Sequence, residues 1–384
     1  MLKTLTALVV LFTAPESDPF AFFAKSVAIT ESDRRELARG NPVAHVLGGE
    51  DHEVVTVAAV PVNIDGDRLV AWMRQIGELK KSAYVEAIHR FSDSPRIADL
   101  ADLSLDDNEL NGIRSCRPRF CDLKLSAREM LQLQQAAAAS PDWKGAVQQA
   151  FREVLLERVQ SYLTRGDVSA YEDDNTPVWP AARFASVLQH SVFLTAGWPR
   201  FADYLRATPP PAASDVESFV YWSRERLADK PVVSVTHVSI MRSGEPGLPD
   251  ALVAGRQIFA THYVNASLGL TALMRGEPGG PNYLVYVNRS ELDMLGGPFG
   301  GLIKWVIGRR LKTEAVGALL GLRRRLEGGE PPPIAMLLFS ATGRRDAASA
   351  WGSVALRCSP AAPFPRALQR TRPGFRPSRC RRRA

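Results

Sequence analysis

The sequence predicts an α+β protein, on three observations. Between His52 and Val62 the residues Val54, Val55, Val57, Val60 and Val62 crowd one segment, and β-branched density of that kind favours strand. Between about 126 and 206, apolar residues recur at helical spacing, as in Val147, Phe151, Val154, Leu155, Val159 and Leu163. After the proline run Pro209–Pro211, strand-like segments alternate with Gly/Pro turns and lead into one long helical stretch.

Each element follows from local chemistry. Thr30, with Asp33 three residues on, is an N-cap that opens a short helix to about Ala38. Pro42–Leu47 and His52–Val62 are strands, and Asn63–Gly66 is a turn. Leu69, Val70, Trp72, Met73, Ile76 and Leu79 predict one helix from Asp67 to about Lys80. Tyr84–Phe91 returns to strand, and Leu105–Ile113 is a short helix. Ser126–Ala139, Trp143–Arg165, Pro180–Leu194 and Pro199–Arg206 make the helical block. Glu217–Arg224, Pro231–Arg242, Leu252–Leu268 (with an extension toward Met274) and Asn282–Arg289 are the later strands. Gly296–Gly301 then introduces a helix from about Leu302 to Leu326, closed by Gly328 and Gly329. The chain divides accordingly into an N-terminal segment (1–24), a first α+β part (28–125), a helical insertion (126–211), a C-terminal sheet with its long helix (212–330) and a tail (331–384).

The 384 residues are 45% apolar and 23% charged, the balance of a globular protein with a real core. The net charge is +7, but residues 341–384 hold eleven Arg and a single acid, Asp346, which leaves residues 1–340 at −3. A domain-wide surface for nucleic acid is therefore not expected. The Arg/Pro/Ala tail reads either as a shifted reading frame or as a disordered extension that meets an acidic partner.

Lys3 followed by Leu5–Phe12 has the length of a signal-peptide core rather than of a spanning helix. The cleavage site is poor, with Pro15 after Ala14, and a buried N-terminal helix or strand is the other reading. Export to a periplasmic or secreted location is the expectation. Cys116 and Cys121, in Cys-Arg-Pro-Arg-Phe-Cys, lack the ligand partners of a zinc site, and a proline between them lets the chain turn into a local disulfide.

The order of elements carries a resemblance. Its residues are His52–Lys81, with Asp67-Arg-Leu in the first turn of the helix, and Val232–Glu327, where Gly-Pro-Phe-Gly-Gly-Leu-Ile enters the last helix. This pattern resembles the START-like lipid-transfer (helix-grip) superfamily. The resemblance implies a curved antiparallel sheet gripping the long C-terminal helix around an apolar cavity. It covers about half of the chain. The helical block is a departure, to be read as an inserted lid, a separate subdomain, or a sign that the architecture differs. The implied function is an exported protein that binds or transfers an apolar small molecule or lipid. The alternatives are a START-like cyclase or hydrolase working through His and Asp acid-base groups, and a non-catalytic envelope protein.

No nucleophile elbow, metalloprotease pair, phosphate loop or dinucleotide fingerprint occurs, so no catalytic residue, metal or cofactor is assigned. His237 and His262 fall inside strand segments, where alternation groups them with Val233, Val235 and Ile258. A buried imidazole needs a hydrogen-bond partner, and Arg289 or Asp293 is the candidate. The other reading is a pair of histidines satisfied within the sheet or facing solvent. Tyr263 and Tyr286 are amphipathic aromatics that suit either a ligand pocket or ordinary strand positions. His237, His262, Arg289, Tyr263 and Tyr286 are thus the candidate ligand-binding residues.

Overall fold

The computed structural model describes residues 18–24, 26–50, 52–173, 176–227, 230–296 and 300–329. The N-terminal apolar stretch, the arginine-rich tail and residues 297–299 of the glycine-rich segment lie outside the described residues.

Eight strands form one open antiparallel sheet. They are β1 (Val43–Gly48), β2 (Glu53–Val62), β3 (Val85–Arg90), β4 (Val216–Leu227), β5 (Lys230–Arg242), β6 (Ala251–Ala260), β7 (Val264–Met274) and β8 (Asn282–Leu292). Their order is β1-β2-β8-β7-β6-β5-β4-β3, with every neighbouring pair antiparallel. The last five strands are a meander, and the β1–β2 hairpin joins it through β2 and β8. The helices are α1 (Glu31–Ala38), α2 (Gly66–Arg74), α3 (Ile76–Lys80), α4 (Asp107–Ile113), α5 (Ala127–Ala139), α6 (Trp143–Arg165), α7 (Pro180–Gln189), α8 (Val192–Gly197), α9 (Pro199–Arg206) and α10 (Gly300–Glu327).

Because side chains alternate along a strand, the sheet has two faces with separate coverings. On one face, Val57, Val287, Leu270 and Leu252 pack under α7–α9 and the short turn Ala21–Phe23. Farther along that face, Val220, Trp222, Val235 and Phe259 pack under α4–α6. On the opposite face Val60, Leu284, Leu273 and Ile240 pack against α2, α3 and the C-terminal half of α10, through Leu69, Leu79, Leu319 and Leu326. The helical block therefore covers the face away from α10 and does not roof the α10 side.

Local signals account for the helix ends. Thr30 and Asp33 form the expected capping box, with Asp33 N–H donating to Thr30 Oγ1 at 3.2 Å. The long helix α6 spans the residues its periodicity predicts and stops at Gly166, whose φ of +70° is left-handed. A Cβ at Gly166 would collide with the Thr208 backbone, so both conformation and space demand glycine there.

Three segments depart from the sequence expectation. The helix expected over 67–80 breaks at Gln75 (φ −100°, ψ 48°), and the break keeps Met73 and Ile76 both buried. The helix expected over 180–194 breaks at Ser191, whose hydroxyl donates back to the Val187 carbonyl at 3.0 Å. The strand expected over 252–268 is a hairpin that turns at Thr261–Tyr263. Tyr263 holds φ +63° there, a place usually taken by Gly or Asn, so nothing in the residue types signals the turn.

Leu155 is fully buried between α6 and the sheet. Leu155→Ala is expected to lower stability by about 2–5 kcal/mol, the cost of a large-to-small change in a packed core. A urea unfolding series on both proteins measures it.

Candidate functional site

The α10 face of the sheet changes character halfway along six strands at the same level. On β8, Leu284 gives way to Tyr286, Asn288 and Ser290, and on β7, Leu273 gives way to Thr271, Gly269 and Ser267. Ala251 and Val253 of β6 are followed by Gly255 and Gln257, and Ile240 and Val238 of β5 are preceded by Thr236 and Ser234. Phe219 and Tyr221 of β4 are followed by Ser223 and Glu225, while Thr56 of β2 opposes Asn288. The apolar half is sealed by α2, α3 and the end of α10. Most of the polar half stays partly exposed, including Tyr286, Asn288, Thr271, Gln257, Thr236 and Ser234.

Gly255 and Gly269 pair directly across β6 and β7 at the centre of this floor. Neither has a positive φ, so what they contribute is a missing side chain: a Cβ on Gly255 would press on Thr236 Cγ2 at 3.3 Å. A Cβ on Gly269 would meet Asn288 Nδ2 at 3.6 Å and the Tyr286 hydroxyl at 3.8 Å, ordinary contact distances.

Two hydrogen-bonded groups flank the paired glycines. On one side Asn288 Nδ2 donates to Ser267 Oγ at 3.1 Å, Ser290 Oγ donates to Asn288 Oδ1 at 2.7 Å, and the Ser267 and Ser290 hydroxyls lie 2.8 Å apart. On the other, Lys80 at the end of α3 donates to Glu225 Oε1 at 2.5 Å and to the Tyr221 hydroxyl at 3.3 Å. Ser223 Oγ also donates to Glu225 Oε1, at 2.6 Å.

Burial opposes the Lys80 charge, but Tyr221 and Glu225 outweigh it and hold its pKa above the ordinary lysine value. Glu225 is the mirror case, since burial would raise its pKa and the Lys80 charge and hydrogen bonds bring it below the usual range. The pair is thus ionised on both sides through neutral pH, and each side chain keeps about a third of its exposure (31% and 32%). Burial raises the Tyr286 phenol, while the charge of Lys80 pulls the other way and Tyr221 and Glu225 add to the rise.

The residues singled out by sequence do not meet at one place. Tyr286 lies on the polar floor. His237 faces the other way, with Nδ1 2.9 Å from the Tyr162 hydroxyl of α6 and Arg256 alongside. Arg289 shares that opposite face, where it donates to Glu53 Oε2 at 2.6 Å and His190 Nδ1 sits 2.8 Å from Glu53 Oε1. His262 and Tyr263 occupy the β6–β7 turn, and His262 Nδ1 lies 3.0 Å from the Asp122 carbonyl. Neither histidine uses Arg289 or Asp293, because the helical block and the loop before it supply their partners. Asp293 instead accepts from Lys124 Nζ at 2.8 Å, and that buried ammonium also reaches Asp173 (3.1 Å) and Asn265 (3.0 Å). Cys116 and Cys121 are joined in a disulfide, with Cα atoms 4.5 Å apart.

No family model matches the chain, and no curated protein matches it. A solved structure described as the di-domain ARO/CYC BexL from the BE-7585A biosynthetic pathway is similar over 75% of this chain and 80% of that one. The identity is 11% and the TM-score 0.21, too low to carry an argument about fold or activity.

Burial depresses the His237 pKa to about 4, with the Arg256 charge adding to the effect. The unfolded chain binds a proton at His237 near pH 6.5 that the folded chain refuses until about pH 4. Stability is therefore expected to fall as pH drops through this window, by up to roughly 3 kcal/mol from this group. Urea midpoints at pH 7 and pH 4.5 should differ less in His237→Gln than in the parent chain.

Proposed function

We propose that the chain is a helix-grip binding protein that takes an amphipathic small molecule or lipid on the polar floor of the α10 face. The observation that carries this is the shift, at one level on six strands, from packed apolar residues to Ser, Thr, Asn, Gln, Tyr and paired glycines. An antiparallel sheet can leave part of a face polar toward solvent, so it is the gathering of these groups beside Lys80 and α10 that supports a site. Lys80 on α3 forms one wall of the trough, and α10, which runs along β1 and β2 with Gly308 against Val46, forms the other.

The chemistry of the floor narrows the ligand. Lys80 is already neutralised by Glu225, so the trough offers hydroxyls and amides rather than an uncompensated positive charge. That suits a ligand with an apolar body and neutral hydroxyl or carbonyl oxygens better than a carboxylate or phosphate. Of the residues chosen from sequence, Tyr286 is the one assigned to ligand contact. The disulfide and the N-terminal apolar stretch support a place outside the cytoplasm. A second reading, a START-like enzyme, has one observation in its favour: Lys80, Tyr221 and Glu225 already form a hydrogen-bonded acid-base group.

The test is native mass spectrometry of the full chain after incubation with mixed lipids and isoprenoid alcohols. Binding is expected in the parent chain and at least about tenfold weaker in Gly269→Phe, which sets a ring over the polar floor. Far-UV circular dichroism and the thermal midpoint should stay close to those of the parent. Equal binding in Gly269→Phe and Tyr286→Trp, or a parent chain that stays free of ligand, would remove this reading. Chemical conversion of the bound molecule, lost in Lys80→Met, would decide for the enzyme.

A further inference from the structure

The loop closed by the Cys116–Cys121 disulfide presents a feature that neither the core nor the trough uses. Phe120, just past its turn, is 65% exposed, the most exposed large apolar side chain among the described residues. The loop is rigid. Phe120 N–H donates to the Arg117 carbonyl at 2.8 Å and Arg117 N–H to the Phe120 carbonyl at 3.3 Å, around the turn Pro118-Arg119. Arg119 N–H is tied in addition to the Glu172 carbonyl at 3.0 Å.

Arg119 holds φ +70°, where a β-turn takes Gly or Asn at least cost. An arginine at a left-handed position costs stability, and its exposed side chain recovers none of it by packing. Arg114 and Arg117 are exposed as well. Arg117 lies over the Phe120 ring at 4.6 Å and Arg114 over the Trp143 ring at 4.9 Å. Among the described residues none of the three arginines is paired with a carboxylate. The nearby acids are occupied, Asp122 by Lys230 (2.5 Å) and Glu172 by the Ala127 N–H (3.0 Å).

We propose that this knuckle is a docking element for an anionic lipid surface, in which Phe120 enters the headgroup region and Arg114, Arg117 and Arg119 meet the lipid charges. A disulfide-closed loop of six residues is far smaller than the patch of about 800 Å² per partner that a stable protein interface uses. A bilayer asks for no such complementarity. It rewards an apolar ring that needs little ordering on arrival, flanked by cations. Docking through this loop does not depend on the trough holding a ligand.

The full chain is tested by co-sedimentation with phosphatidylcholine vesicles with and without phosphatidylglycerol. The arginine-rich tail will also be drawn to anionic vesicles, so the loop needs its own readout. Phe120→Trp, compared with the parent chain, should gain a blue-shifted emission that brominated lipids quench. Phe120→Ser and Arg117→Glu should each weaken sedimentation roughly five- to tenfold. Arg119→Gly removes a charge while easing the backbone, so it should weaken binding about fivefold with the thermal midpoint unchanged or higher. An introduced tryptophan that brominated lipids do not quench, or full sedimentation of Phe120→Ser and Arg117→Glu together, overturns the proposal. Competition by polyglutamate without any lipid quenching would overturn it in favour of an acidic protein partner.

Discussion

Everything in this molecule depends on the register of one antiparallel ladder. Val57, Val287, Leu270, Ala254 and Ser239 form one rung, and Ala58, Tyr286, Thr271, Val253 and Ile240 form the next. The first rung faces the helical block and the second faces α10. A slip of one residue anywhere would exchange the two sets, placing Tyr286 and Asn288 in the block-side core and Val285 and Val287 on the open floor. The apolar half of each face is what makes such a slip costly, so burial at one end of the strands fixes the polar arrangement at the other.

The helical block is held by charge as well as by packing. Lys124 bridges Asp173, Asp293 and Asn265, and Arg158 is paired with Glu129 at 2.5 Å, both within the buried layer. Arg224 on β4 reaches Glu109 of α4 and Glu86 of β3. Pairs of this kind add little net stability, because desolvating both partners offsets much of their attraction. They do penalise any other seating of the block, which would strand a buried charge. The two faces of the sheet thereby separate in role: one is locked by ions and aromatic packing, and the other keeps hydroxyls and amides within reach of solvent.

Much of the architecture was legible one residue at a time. The capping box at Thr30, the periodicity of α6 and the valine-rich β2 all give the same answer locally and in the folded chain. Where local and tertiary demands diverge, the residue types carry no warning. Tyr263 turns a chain without Gly, Pro or Asn, and Gln75 breaks a helix whose apolar spacing runs through it unchanged. The candidate site was less legible. Ser223, Ser267, Thr271 and Gln257 look like ordinary solvent-facing alternation until β2 is laid beside β8 and the meander strands are set in register. His237 drew attention as a polar group on an apolar strand and Arg289 as its candidate partner, and the structure gives each a different partner: Tyr162 of α6 for His237, and Glu53 of β2 for Arg289.

By itself, the sequence determined the α+β class, nearly all of the elements, the tight Cys116–Cys121 loop and the concentration of positive charge in the tail. These follow from interactions within a few residues, such as capping, periodicity, turn chemistry and chain reach. Only the tertiary structure decided which face each strand residue occupies, that Lys80 of α3 meets Glu225 of β4, and that Gly255 opposes Gly269. Those facts depend on pairings between segments far apart in the chain. Their free energy comes from burying whole faces at once, a quantity that no short window of sequence contains.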